Sequence, residues 1–195
     1  MQILEKPTDL LERIRSFEAF EGIKDSSLEW LIEKLTELGV SSITPLLCDH
    51  SERKIIKKER LEKITISGLK QSQQFYLPKV NEMVSFKDFV IASKKQETYI
   101  AHCEESPKEN LDAISFKGTS QTVMIGPEGD FTADEVQAAI EMGAKPVHLG
   151  SKRLRTETAA VVACTRFTCL TSFFGMFRRN AGNKKHFAPD AVSSG

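Results

Sequence analysis

The chain has 195 residues, with 27 basic and 27 acidic side chains and no formal net charge. Apolar residues make up 40% and charged residues 28%, the balance of an ordinary globular protein. A chain of this length buries about 70% of its extended surface and needs no staples. No run approaches the ~18 apolar residues of a membrane span. The opening MQILEKPTDLLERIRS mixes charge and apolarity, unlike a secretory leader. Zero net charge excludes a uniformly basic nucleic-acid coat, so any RNA contact falls to a local patch or a partner domain.

In chain order, the first 24 residues are the hardest to place. Leu4, Leu10, Leu11, Ile14 and Phe17 suit a short helix, and Phe17, Phe20 and Ile23 a strand-like stretch after it. Ser26 and Glu29 form a capping-box pattern. Leu28, Leu31, Ile32, Leu35 and Leu38 follow at helical spacing, and Gly39 takes the position after the last turn. Ile43–Cys48 reads as a buried strand, and a polar helix is expected from about Lys57 to Phe75, stopped before Pro78. Ser85 is placed to cap a short helix over Phe86–Ala92, and Thr98–Cys103 is the next strand. Thr122–Ile125 is a further strand, broken by Gly126-Pro127-Glu128-Gly129. Thr132 and Glu135 make a second capping box. It opens a helix with Val136, Ala139 and Ile140 inward and Gly143 at its end. Val147–Leu149 is a short strand closed by Gly150. Thr156 is expected to cap a helix from Glu157 to about Phe174, apolar almost all round and so buried in a core or an oligomer interface. The segment from Arg178 has the composition of a disordered end.

Strand and helix alternate from about 26 to 174, the pattern of an α/β fold with a parallel sheet flanked by helices. Cys48, Cys103, Cys164 and Cys169 form no C-x-x-C pair and read as reduced thiols of a cytoplasmic protein. His50, His102, His148 and His186 are scattered, so no metal site is expected.

Two loops stand out, Met124–Thr132 and Leu149–Ala159. Each follows the C-terminal end of an expected strand and precedes a helix, the edge at which open α/β sheets bind ligands. Their glycines admit close approach of main-chain groups to a ligand. Neither a P-loop nor G-x-G-x-x-G is present. Spacing alone reaches a ligand loop on an α/β sheet, and leaves open that Gly126–Gly129 is only a tight turn.

The segment IGPEGDFTADEV…GAKPVHLGSKRLRTETAA resembles the signature of the ribosomal RNA small subunit methyltransferase E family, in the SPOUT superfamily. Upstream, Glu33–Val40 (EKLTELGV), Ser51-Glu52-Arg53 and Lys70-Gln71-Ser72 resemble further blocks of it, so the likeness runs from about residue 26 to 170. The resemblance implies a parallel sheet with a C-terminal trefoil knot. It also implies S-adenosylmethionine bound in the knot loops, a homodimer, and methylation of N3 of a uridine in 16S rRNA. Residues 25–176 would be the methyltransferase domain, 1–24 an extension or remnant of the family's N-terminal PUA-like barrel, and 177–195 a tail. The chain departs from the family pattern at Asp130, where a glycine is usual. An aspartate there restricts φ and adds negative charge near the cofactor mouth. It departs again at Gln73-Gln74, where the family often has an arginine.

On this resemblance the cofactor falls to Met124, Ile125, Gly126, Pro127, Gly129, Leu149, Gly150, Leu154 and Thr158. His102 either lines the same pocket or is a strand-end histidine. Uracil N3 must lose a proton, and a guanidinium near its carbonyl oxygens would stabilise the developing anion. Arg155 is the first candidate and Arg153 the second, against an ion pair with Glu157 or Glu128 and a plain surface charge respectively. Glu128 either accepts a proton or satisfies loop amides. Arg53, Lys54 and Lys57 are candidate phosphate contacts or an ordinary helix start. The competing expectation is a catalytically silent, cofactor-binding RNA-interaction or assembly module of the same fold.

Overall fold

A computed structural model describes residues 15–18, 25–51, 56–93, 97–114 and 121–167. The expectations for Arg53, Lys54, Cys169, His186, the first 14 residues and the tail lie outside them.

Nine strands, five α-helices and one 3-10 turn (Leu111–Ala113) are described. The strands are β1 (Arg15–Glu18), β2 (Ser42–Thr44), β3 (Leu46–Leu47), β4 (Lys79–Val80), β5 (Val84–Ser85), β6 (Glu97–Ala101), β7 (Glu109–Asn110), β8 (Gln121–Ile125) and β9 (Lys145–His148). The helices are α1 (Asp25–Glu37), α2 (Lys58–Gln71), α3 (Phe86–Ala92), α4 (Ala133–Glu141) and α5, helical over 156–167. Seven strands form one sheet in the order β4-β2-β1-β8-β6-β9-β7, and β3 pairs with β5 separately. Every pairing is parallel.

The central strands are buried on both faces, which explains their unbroken apolar runs. Val123 and Ile125 of β8 and Tyr99 and Ala101 of β6 join one cluster with Leu31 and Leu35 of α1 and Ala163 and Phe167 of α5. The alternate residues, Met124 and Ile100, join the opposite cluster with Val90 of α3 and Val136 and Ala139 of α4. The period-two alternation of a strand thus feeds two cores. Each large apolar side chain so buried contributes about 1.5–3 kcal/mol. Tilted ring pairs add to both sides, Tyr99 with Phe167 at 5.9 Å and Phe86 with Phe131 at 5.3 Å between centroids.

Local signals placed most boundaries. Ser85 accepts from the Asp88 N–H as the cap of α3, and Thr132 with Glu135 completes the capping box of α4. Gly39 and Gly143 have φ of +75° and +100°, the left-handed ends of α1 and α4. Five expectations change. Helix α1 runs from Asp25, so Ser26 already lies within it and does not cap it. Pro45 separates β2 from β3, so the expected single strand is two. Helix α2 ends at Gln71, and Gln73 turns left-handed at φ 55°, well before Pro78. Ile140 is 36% exposed, because only Val136 and Ala139 of α4 face the core. Finally, residues 15–18 pair with both β2 and β8, so the sheet begins before residue 25, where the domain was expected to start. Four residues reading RSFE carry too little pattern to reveal a central strand.

Candidate active site

The parallel pairing brings three strand ends to one edge. Ala101 of β6 stands level with Ile125 of β8 on one side and with Val147 of β9 on the other. The chain leaves β8 through Gly126–Thr132, leaves β9 through Leu149–Arg155, and leaves β6 through His102 and Cys103. The two glycine loops therefore flank the segment that follows β6.

They are also bonded to each other. The buried Thr156 hydroxyl donates to the Gly126 carbonyl at 3.0 Å. Thr156 is thus the first helical residue of α5 and ties two loops together, rather than capping its own helix. The first turn begins one residue earlier, with Ala159 N–H donating to the Arg155 carbonyl at 2.8 Å. Thr156→Val deprives a buried carbonyl of its side-chain donor and is expected to cost about 1–3 kcal/mol in urea unfolding, whereas Thr156→Ser should stay near the parent.

The first loop is crowded where it turns. Asp130 N–H donates to the Pro127 carbonyl at 2.9 Å, closing the turn. A Cβ on Gly126 would lie 2.8 Å from Asp130 Oδ1 and 3.0 Å from the Phe131 main-chain nitrogen. Gly126 is therefore required by space. Gly150, in the second loop, has φ +128° with nothing near its missing Cβ, so it is required by conformation.

Between the loops lies His102, 6% exposed. Neither of its ring nitrogens has a hydrogen-bond partner among the described residues. A buried imidazole left unpaired costs free energy, and at a sheet edge this marks a place for a polar ligand group. Burial pushes the His102 pKa below the ordinary 6.5, and the Lys108 cation lowers it further, against the Asp130 and Glu104 carboxylates. The imidazole is thus held neutral in the fold. As pH falls through the ordinary value, the unfolded chain gains a proton that the folded chain resists, so stability drops. Urea midpoints should fall from about pH 7 to about pH 5, and His102→Gln should flatten that slope.

Arg153, Arg155 and Glu128 are all exposed on these loops. Arg155 makes no ion pair among the described residues, so neither expected partner, Glu157 or Glu128, holds it. The Arg153 charge is near enough to act on the Cys103 thiol, on the segment leaving β6. Burial and the Asp130 carboxylate nevertheless push that thiol upward, with Arg153 and Lys108 opposing. Ile125 and Pro127 are buried at the base of the first loop, Gly129 is exposed, Leu149 and Leu154 are half-buried, and Thr158 is exposed on α5. Lys57 precedes α2 and is exposed. Met124 stands apart. It is buried on the α3 and α4 side, lining a small apolar cavity with Val90, Ala139 and Met142, because its neighbours in the strand face the other core.

Contacts without a sequence signal complete the edge. His50 Nδ1 lies 3.1 Å from the carbonyls of both Gly129 and Asp130. Asp130 Oδ2 accepts from the Cys103 N–H at 2.6 Å. These partners are 80 and 27 residues apart.

A parallel α/β sheet with two joined glycine loops and, among the described residues, an unpartnered histidine at one edge has the form of a ligand site at the strand ends of an open sheet. The chain belongs to the RNA methyltransferase domain family, which matches residues 16–168. It is 31% identical over 155 residues to a ribosomal RNA small subunit methyltransferase E from Rickettsia conorii, covering 77% of this chain and 62% of that protein. A probable rRNA-methyltransferase from Porphyromonas gingivalis superposes with a TM-score of 0.77 at 36% identity, over 83% of this chain and 70% of that one. A putative methyltransferase from Legionella pneumophila in complex with the bound cofactor SAM gives 0.74 at 26% identity, over 81% and 67%. The chain spans less than two thirds of the length of the first curated relatives it matches.

Proposed function

We propose that this chain is a methyltransferase that uses S-adenosylmethionine to methylate N3 of a uridine in 16S rRNA. The observation that carries the reading is the joined pair of glycine loops with the unpartnered His102 between them. The residues present fit the donor. His102 offers a neutral ring nitrogen, the strand ends at Ile125 and Gly126 and at Leu149 and Gly150 offer main-chain groups, and Leu149 and Leu154 offer apolar surface. When bound, S-adenosylmethionine supplies an electrophilic methyl group.

The chain's own residues would do the rest. The loops would fix the donor relative to the uracil, since alignment is the main requirement of an in-line displacement. Arg155, exposed and without an ion pair among the described residues, would approach the uracil carbonyl oxygens and stabilise the anion formed as N3 loses its proton. Arg153 would carry a second positive charge over the segment that follows β6. Glu128, exposed in the first loop, is the carboxylate available to take up that proton. Lys57, together with Arg53 and Lys54, would contact RNA phosphates. A homodimer in the cytoplasm completes the proposal; Val161 and Val162 of α5 are half-buried and would be covered further by a second copy.

Titration calorimetry with S-adenosylmethionine, followed by mass spectrometry of 16S rRNA incubated with the chain and the donor, tests the reading. A binding isotherm with a new N3-methyluridine is expected. Absence of binding would sink it. Binding without methylation would favour a silent assembly module, to which the extra carboxylate of Asp130 at the loop mouth would then belong.

A further inference from the structure

Asp130 sits in the left-handed region at φ 65°, a conformation that costs an L residue about 1–2 kcal/mol and glycine almost nothing. Something must offset that strain, and its carboxylate supplies it. Oδ2 accepts from the Cys103 N–H at 2.6 Å and Oδ1 from the Phe131 N–H at 2.9 Å. Hydrogen bonds to a charged acceptor are the stronger kind. The carboxylate can reach both donors only because Gly126 has no Cβ, which would otherwise meet Oδ1 at 2.8 Å. On the other flank, His50 holds the carbonyls of Gly129 and Asp130. Carbonyls only accept, so Nδ1 carries the proton there. Glu135 adds a tie by accepting from the Asp49 N–H at 3.0 Å.

We propose that Asp130 is a positioning residue, clasping the loop after β8 to the segment after β6 so that His102 and Gly126 keep a fixed separation before any ligand arrives. The proposal rests on the donor-site reading above and deepens it. Walls fixed in advance spare a ligand the entropy of ordering them. Asp130 acts through the main chain of Cys103, the neighbour of His102. An aspartate in place of glycine thus exchanges backbone freedom for a side-chain bond across the mouth.

Three proteins test this: the parent, Asp130→Gly and Asp130→Asn. Amide hydrogen exchange on the ligand-free proteins reads the clasp directly. The Cys103 amide should exchange about tenfold faster in Asp130→Gly, while Val123 in β8 stays protected. Asn retains one acceptor oxygen and tolerates the left-handed region, so it should keep most of the protection. Titration with S-adenosylhomocysteine, the demethylated product, should show about tenfold weaker binding for Asp130→Gly and a smaller loss for Asp130→Asn. Unchanged Cys103 exchange in Asp130→Gly, or parental affinity in that variant, overturns the proposal. A parent that binds no S-adenosylhomocysteine overturns the donor-site reading instead, and the exchange data still decide the clasp.

Discussion

Gly126→Ala is expected to fold and to lose most of its affinity for S-adenosylmethionine. The added methyl group would lie 2.8 Å from Asp130 Oδ1, 3.0 Å from the Phe131 nitrogen and 3.2 Å from the Phe131 ring. The first neighbour can swing away, at the expense of its bond to Cys103. The second is main chain at the end of the loop, next to Thr132, which the capping box with Glu135 locks in place. Something in the backbone must therefore shift, and overpacking of this sort costs about 1–3 kcal/mol. Felt in donor binding, that range is about 5- to 150-fold in affinity. Circular dichroism should be unchanged, since the strand behind the loop is paired on both sides. The double variant Gly126→Ala with Asp130→Gly should recover only part of the loss, because the contact with Phe131 remains and the bond to Cys103 is gone. Calorimetry on the three proteins checks this; parental affinity in the single variant would show that the loop is not the donor site.

Arg155→Ala should separate chemistry from binding. The side chain is exposed and holds no ion pair among the described residues, so its removal should alter stability by no more than about 0.5 kcal/mol. If the guanidinium stabilises the uracil anion, its loss should lower kcat by about 100- to 1,000-fold, the usual effect of removing one such donor. Donor affinity should stay within about threefold, below the tenfold that 1.4 kcal/mol represents. Arg155→Lys should recover only part of the rate, because an ammonium cannot fork to two oxygens. Single-turnover methylation at saturating donor, with parallel calorimetry, distinguishes these effects. A parental rate in Arg155→Ala would pass the role to Arg153.

The helix ends were the most legible feature of the sequence, because capping residues and left-handed glycines act over a few positions. Thr132 with Glu135, Ser85, Gly39 and Gly143 all do what their spacing implied. Asp130 was legible as a restricted, charged intruder in a glycine loop, though its bond to Cys103 was not. Strand positions fared worse where both faces are buried. Met124 and Val123 are equally apolar, and nothing local says which one faces α4. Thr156 carried a helix-start signal that fitted a cap equally well; only the fold brings the Gly126 carbonyl within reach. His50 gave no signal, because its partners lie 79 and 80 residues away. Pairings at such distances are fixed by the order of strands, which single-chain periodicity does not encode.

That order has a consequence for how the molecule assembles. β1 leaves the ribosome well before one of its two flanking partners, β8, which is made more than a hundred residues later. The nascent sheet therefore has an open seam until β8 is inserted between β1 and β6, and such distant parallel pairings are slow to form. Through that interval the exposed rims of β1 and β6 invite mispairing with other chains. The glycine turn that follows β8 can take its final shape only after that insertion, so completion of the ligand edge and closure of the seam are one event.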